Sequence, residues 1–459
     1  MIPATCGQPF EGAPAPYDRD MIHAVDRPTG DGWPATAAWA RSGAMGLGGS
    51  ADGLPPNLPP PGLVARIEAL VTEIEELSSQ RGRPVRLSWA AALAGRADFM
   101  GLRRQGQVSA NGSCRLLPTL DGWMALNLPR QDDFELVPAL IGGPVDDPWE
   151  AVAEAAAHSP AARLVSQARL LGMAASVLPA TTAAGEKPYD VIDRWSHGPK
   201  DEARPIKVVD LSPLWAGPMV ARVLAESGAE VTRLVSTGRH EGAAFGSPFY
   251  RWIHSTRESR FELDLRTTGG REHAARLIGD ADVVIEGSRP RALEQLGLGP
   301  DSFDDRTSRV WLSVTGHGRA SPGRDWIAFG DDAAVAGGLV GRDQAGRPAF
   351  CGDAIADPLT GLTGAVAVLR ALRSGGGCLI DLAMAKVAAH MVTGEPAAIA
   401  ARVGGPATVE SAGEGAWVVR SDGRTEAVLD HPETIEWIAA ANHGHAQDNP
   451  RSQEAENRT

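Results

Sequence analysis

Asp357 lies in the segment Gly352-Asp353-Ala354-Ile355-Ala356-Asp357-Pro358-Leu359-Thr360-Gly361. Pro358 suits the first turn of a helix, where a missing N–H costs nothing. Leu359 to Leu372 has helical composition. Asp357 is therefore expected at a helix N-terminus, where the dipole favours its ionised form. Two readings stay open there. An aspartate before proline at a helix start is an ordinary N-cap. A carboxylate can also serve as a catalytic nucleophile. Asp353, four residues earlier, is its local rival.

The elements that must hold such a residue are legible on both sides of it. Ile206 to Leu211 reads as a buried strand, Ala216-Gly217-Pro218 opens a helix with Val220, Val223 and Leu224 on one face, and Gly228 ends it. Residues 229–234 form the next strand, followed by a helix over 269–278 and strands over 282–286 and 309–314. This alternation predicts an α/β fold, an open parallel Rossmann-like sheet with helices on both faces. Upstream, Leu63, Ile67, Leu70, Val71, Ile74 and Leu77 recur at helical spacing, which reads as core packing. Cys114–Leu117 and Trp123–Leu126 make a hairpin around Asp121-Gly122, and helices follow at 149–157 and 160–171. That region is expected to be a smaller α+β domain. The expected division is an N-terminal extension over 1–40, the small domain over 41–180, a polar linker over 181–204, the sheet domain over 205–395, and a C-terminal segment over 396–459 with a disordered tail.

A βαβ unit invites a dinucleotide reading, which fails twice. The turn Ser212-Pro213-Leu214-Trp215-Ala216-Gly217-Pro218 has one glycine where the fingerprint needs three. Leu234-Val235-Ser236 stands where an acidic residue would hold a ribose.

Six ordered blocks within residues 206–390 carry a different pattern. They are Val209-Asp210-Leu211-Ser212 with Ala216-Gly217-Pro218 and Glu226 to Val231; Leu263-Asp264-Leu265-Arg266; Ala281 to Pro290 with Leu296 to Gly299; Ser313 to Gly318; the Asp357 block; and Gly375 to Met384. Together they resemble family III CoA-transferases, a group that includes formyl-CoA:oxalate and carnitine CoA-transferases and the alpha-methylacyl-CoA racemases. Ser42-Gly43 to Gly48, Asp52-Gly53, Ala110 to Ser113 and Asp121 to Leu126 resemble the family's small domain, so the domain order is expected to be permuted.

The resemblance implies that Asp357 attacks an acyl-CoA thioester and carries CoA between carboxylic acids through an aspartyl-CoA thioester. It makes CoA and acyl-CoA substrates, with no tightly bound cofactor. Leu263, Asp264, Leu265, Arg266, Ile285, Glu286 and Gly287 match segments lining the nucleotide site. Relatives hold the phosphates with arginines where Ser236 and Gln295 stand here; Arg257, Arg260, Arg266, Arg289 and Arg291 lie nearby, each either a substitute or a solvated surface arginine. Gly323-Arg324-Asp325 matches a motif whose histidine serves racemases, and Arg324 is no general base. Asp325 either orients the site or is a loop aspartate bonding its own backbone. Asn111-Gly112-Ser113 is either a loop offering N–H groups to an oxyanion or a plain turn. A homodimer is implied as well. An acyl-CoA racemase, and a non-catalytic partner subunit, are the alternatives.

Composition narrows the rest. Hydrophobic content of 43% and charged content of 22% fit a globular chain. A net charge of -13 argues against nucleic acid as a partner. Cys6, Cys114, Cys351 and Cys378 form no CxxC pattern, which suits a reduced cytoplasm. The start of the chain has no cationic and apolar leader, and no run approaches the ~20 apolar residues of a membrane helix. His443-Gly444-His445 lacks ligand partners and is not read as a metal site.

Overall fold

A computed structural model of the chain describes residues 35–50, 56–60, 62–181, 188–198, 204–237, 247–303, 307–343, 345–392, 407–413, 415–421 and 424–438. The His443-Gly444-His445 motif and the polar tail lie outside the described residues, as does most of the expected N-terminal extension.

The described residues begin with α1 (Ala35–Arg41), α2 (Leu63–Ser79) and α3 (Trp89–Met100). The apolar stripe of α2 buries Leu63, Ile67, Ile74 and Leu77, as its spacing predicts. Residues 114–177 build a separate layer. β1 (Cys114–Thr119), β2 (Gly122–Asn127) and β3 (Ala174–Val177) form an antiparallel sheet, packed by α4 (Gln131–Glu135), α5 (Val137–Ile141), α6 (Pro148–Ala157) and α7 (Ala161–Leu170). Met124, Leu126, Val152, Leu164 and Val165 belong to its own core.

The centre of the fold is a seven-stranded sheet. Its strands are β4 (Asp190–Asp193), β5 (Lys207–Asp210), β6 (Glu230–Ser236), β7 (Glu258–Leu263), β8 (Val283–Glu286) and β9 (Val310–Thr315), joined after the short pair β10 (Gly341–Arg342) and β11 (Pro348–Ala349) by β12 (Cys378–Ala383). The spatial order is β4-β12-β9-β8-β5-β6-β7. All pairs are parallel except β12 with β4. The helices in this part of the chain are α8 (Ala216–Glu226), α9 (Pro248–Ile253), α10 (Thr268–Asp280), α11 (Pro290–Gln295), α12 (Gly330–Ala336), α13 (Ala356–Arg373) and α14 (Met384–Val392).

Successive side chains of a strand point to opposite faces, and the buried strands sort themselves accordingly. Val208, Val283, Ile285, Val310, Leu312, Ile380 and Leu382 join α2, α3, α8 and α13 in one core. Val209, Val284, Trp311 and Leu379 join Ala274 and Ile278 of α10 and Leu293 of α11 in another. Helices thus cover both faces of a mostly parallel sheet. Two of the expected boundaries run differently. The stretch 181–204 is not only a linker, because β4 lies in it and pairs with the outer edge of β12. All four β4 residues are exposed, so no apolar alternation announces the strand. The helices α1, α2 and α3 pack into the α8–α13 core rather than into the 114–177 layer. The C-terminal segment adds β13 (Ala407–Gly413), β14 (Ala416–Ser421) and β15 (Arg424–Ala427), and then buries Trp437 fully in the aromatic core beside Trp252.

The sheet also fixes where a ligand would enter. After β5 the chain turns to β6 and β7 on one side, and later to β8, β9 and β12 on the other. Ligands of open parallel sheets bind where connections diverge in this way, outside the carboxyl ends of the strands. α13 leads into the parallel strand β12, so its N-terminus, with Asp357, points to the same carboxyl edge.

Candidate active site

Asp357 is the second residue of α13 and does not cap it. Ile355 holds the N-cap position, with no side-chain cap. The Asp357 carboxylate turns away from its own helix, and its Oδ2 accepts a hydrogen bond from the Gly330 N–H at 3.1 Å. The helix-cap alternative is therefore not what the side chain does. Gly330 opens α12, and a Cβ at that position would stand 2.5 Å from Asp357 Oδ2 and 2.2 Å from the Ala354 carbonyl oxygen. Only glycine lets the two helix starts approach so closely.

The turn before α13 is strained. Ala354 has φ +43°, in the left-handed region that a Cβ disfavours by about 1–2 kcal/mol. Its N–H donates to Asp331 Oδ1 at 2.9 Å, and its carbonyl accepts from the Asp357 N–H at 2.8 Å. These bonds hold the strained residue in place.

Four carboxylates gather here. Asp331 and Asp332 head α12, Asp353 precedes α13, and all three are almost completely buried. Asp357 keeps part of its surface accessible. Asn111 Nδ2 donates to Asp331 Oδ2 at 2.8 Å, and Asn127 Nδ2 donates to Asp332 Oδ1 at 3.0 Å. The 114–177 layer and the loop before it are thus tied to α12 through two amides. Arg96 of α3 is 3.4 Å from Asp353 Oδ2. Its guanidinium lies 5.2 Å from the Trp215 ring centre and 5.4 Å from that of Phe249.

Burial dominates the titration of the cluster. Loss of solvent pushes the Asp357 carboxyl up to about 7; nearby Asp331 and Asp353 add to this, while Arg96 and the Gly330 N–H oppose it. Burial likewise pushes Asp331 up to about 6 and Asp332 up to about 7, and raises Asp353.

A pocket lies at the divergence of the strand connections. Leu211, Ser212 and Pro213 after β5, Leu234, Val235 and Ser236 of β6, Leu265, Ser288 and Leu293 line it. None of these is cationic. Of the expected nucleotide residues, Leu265 is in this lining. Leu263 ends β7 in register with Ser236, and Gly287 packs against Ser212 and Pro213. Asp264 spends its carboxylate on Arg266, accepting from its N–H at 3.0 Å and its Nε at 2.9 Å. The Arg266 side chain is exposed. Ile285 is buried, and its carbonyl accepts from the Leu211 N–H. Glu286 is fully buried against Arg319 at 2.6 Å, so its carboxylate is committed to the protein interior. Arg289 is exposed at the start of α11.

Arg257 is misplaced for this pocket. It precedes β7 and faces Glu226, at the end of α8, at 3.5 Å. Both belong to the edge where strands begin, opposite the pocket. Asp325 is exposed and stands 3.8 Å from Arg291, a loose surface pair worth little. It is not held in the four-carboxylate cluster. Arg324 pairs with Glu294, which also binds Arg319. The Gly112 and Ser113 N–H groups are spent inside their own turn, on the Ser109 carbonyl and Asn111 Oδ1. The plain-turn reading thus describes the backbone, although the Asn111 side chain reaches the cluster. Arg96, Asn127, Asp331 and Asp332 were not signalled by any sequence motif. Adjacent acids after Phe329 at a helix head were the one available cue.

Residues 204–421 match the family described as CoA-transferase family III. Over 195 residues the chain is 35% identical to the beta subunit of succinyl-CoA–L-malate CoA-transferase from Chloroflexus aurantiacus, covering 39% of this chain and 48% of that protein. It is 30% identical over 205 residues to succinate–glutarate CoA-transferase from Agrobacterium fabrum, covering 40% and 50%. A CAIB/BAIF family protein from Brucella suis aligns in structure with a TM-score of 0.37 and 27% identity, over 40% of this chain and 53% of that one. The chain spans about half the length of the curated relatives it matches.

Two outcomes follow from the geometry. Gly330→Ala is expected to cost about 1–3 kcal/mol in urea unfolding, and part of that cost should vanish in the Gly330→Ala/Asp357→Ala double variant. Strict additivity would mean the Cβ and the carboxylate do not collide. Second, carboxyls raised from 3.8 to about 6–7 hold their protons longer folded than unfolded. Their contribution to stability is intact below about pH 4 and is lost as pH rises toward 7. Asp332→Asn should flatten the fall in melting temperature between those values; an unchanged slope would contradict the assignment.

Proposed function

We propose that this chain, which carries a CoA-transferase family III segment over residues 204–421, moves CoA between carboxylic acids with Asp357 as the nucleophile. The observation that carries this is the Asp357 carboxylate itself. It is aimed away from its helix, anchored by the Gly330 N–H, and the most accessible member of a buried acidic cluster.

The chemistry would proceed in four balanced steps. The Asp357 carboxylate adds to the thioester carbonyl of an acyl-CoA and expels CoA thiolate, leaving a mixed anhydride. The thiolate attacks the aspartyl carbonyl of that anhydride and releases the first acid as its carboxylate. An acceptor carboxylate then attacks the aspartyl-CoA thioester, which regenerates an anhydride and thiolate. Attack of the thiolate on the acceptor's acyl carbon gives the new acyl-CoA and restores Asp357. Each step exchanges one activated acyl bond for another. An Asp357 carboxyl near pH 7 is half ionised at neutrality, so the rate of the first step should rise with pH through that range.

CoA would enter at the carboxyl edge, with its nucleotide toward the Ser212, Ser236, Leu265 and Ser288 pocket. In this reading the exposed Arg289 and Arg291 of the α11 region would meet its phosphates. Arg324, paired with Glu294, is no general base, which supports transfer over racemisation. The same reading expects small carboxylic acids as co-substrates, a permuted domain order, a homodimer and a cytoplasmic setting. Among the described residues, no helix is long and apolar enough to cross a membrane.

A second reading rests on one specific observation. The pocket lining contains no arginine or lysine, which suits a partner subunit that has lost its grip on CoA. Calorimetry with CoA and exchange of labelled carboxylates into a panel of acyl-CoAs separate the two. The transferase reading expects binding, and exchange that falls by about a thousandfold or more in Asp357→Asn. Exchange that survives Asp357→Asn would sink it, and no CoA binding at all would favour the subunit.

A further inference from the structure

Arg96 comes from α3, outside residues 204–421 that match the family, and no motif draws attention to it. Its side chain is mostly buried. Trp215, just before α8, and Phe249 of α9 meet edge to face with ring centres 5.7 Å apart, and the guanidinium lies over both. A cation held between aromatic faces is attracted by their π-electrons. A planar guanidinium suits such a slot better than an ammonium does. Burying it costs free energy unless anions are near, and the anions it meets are those of the site.

We propose that Arg96 is the positioning residue of this site: held between the two rings and paired with Asp353, its charge offsets the neighbouring acids and favours the ionised form of Asp357 that attack on an acyl carbon requires. The four groups that bear on Asp357 come from three parts of the chain: α12, the turn before α13, and α3. Asp331 of α12 and Asp353 of the turn before α13 favour the protonated acid, while Arg96 of α3 and the Gly330 N–H favour the carboxylate. Arg96 also opposes the rise at Asp331 and Asp353. A single cation from the N-terminal half thus offsets acids from two elements of the sheet domain. Its role rests on the reading of Asp357 as nucleophile, yet the ionisation of Asp357 is measurable with no acyl-CoA present.

The test is carbodiimide–amine labelling of the full chain from pH 5 to 9, with the Asp357 peptide quantified by mass spectrometry against exposed carboxylates of the same digest. This chemistry consumes the protonated acid. Wild type should show a half-point near 7. Arg96→Met should raise it by about one unit or more, so that roughly tenfold less Asp357 is ionised below the half-point. Arg96→Lys should return it toward wild type. Asp353→Asn should lower it, since a like charge is removed and Arg96 is released. An Arg96→Met half-point equal to wild type would overturn the role. If that variant does not fold, an unshifted half-point in Asp353→Asn overturns it instead. The predicted shifts in a chain that exchanges no CoA would count against the transferase reading alone. Exchange without the shifts would count against Arg96 alone.

Discussion

The close approach of α12 to α13 is the contact on which the site depends. One N–H, from Gly330, reaches the Asp357 carboxylate, and one carboxylate, from Asp331, reaches back to the N–H of Ala354. The two bonds cross the same gap in opposite senses. They bring two helix N-termini together, and with them the partial positive charge that suits carboxylates. Ala354 accepts a left-handed backbone as the consequence. The remaining contacts hold the gap shut. Asn111 and Asn127 tie the 114–177 side of the molecule to Asp331 and Asp332, while Arg96 ties α3 to Asp353.

Electrostatics sets the character of this arrangement. Burial, with like charges adding to it, pushes the Asp332 and Asp357 carboxyls up to about 7 and Asp331 up to about 6. Asp357 differs from its neighbours because it retains access to solvent. The other three acids meet amides, backbone N–H groups or Arg96 and have little exposed surface. They shape the environment of Asp357 and are not themselves placed to meet a substrate. The second polar network, running from Arg324 through Glu294 and Arg319 to the buried Glu286, braces the loops after β8 and β9 at the same edge.

The sheet domain was largely legible in the sequence because its signals are local. Val208 and Val209 point to opposite cores, as alternation on a fully covered strand demands. The α2 stripe and the β1–β2 hairpin were likewise readable from spacing and turn residues. β4 was not, because a short exposed edge strand takes its structure from the backbone of its neighbour. In the candidate site, Asp357 stood out by its place before Pro358, but the direction of its carboxylate depended on Gly330, which is 27 residues away in the chain. Arg96 and Asn127 are remote from it in sequence, and nothing in their immediate surroundings marks them. Arg257 and Asp325 show the opposite failure. Alignment with a motif placed them near a pocket or a catalytic group, whereas the fold places Arg257 on the far edge and Asp325 on the surface.

The central claim is that Asp357 accepts an acyl group. Incubating the chain with a succinyl-CoA or glutaryl-CoA probe, quenching with hydroxylamine and mapping modified carboxylates by mass spectrometry tests it most directly. A hydroxamate on Asp357, absent without the thioester, is the result expected. Modification confined to Asp353 or to other carboxylates, with Asp357 untouched by every acyl-CoA that the chain binds, would contradict it.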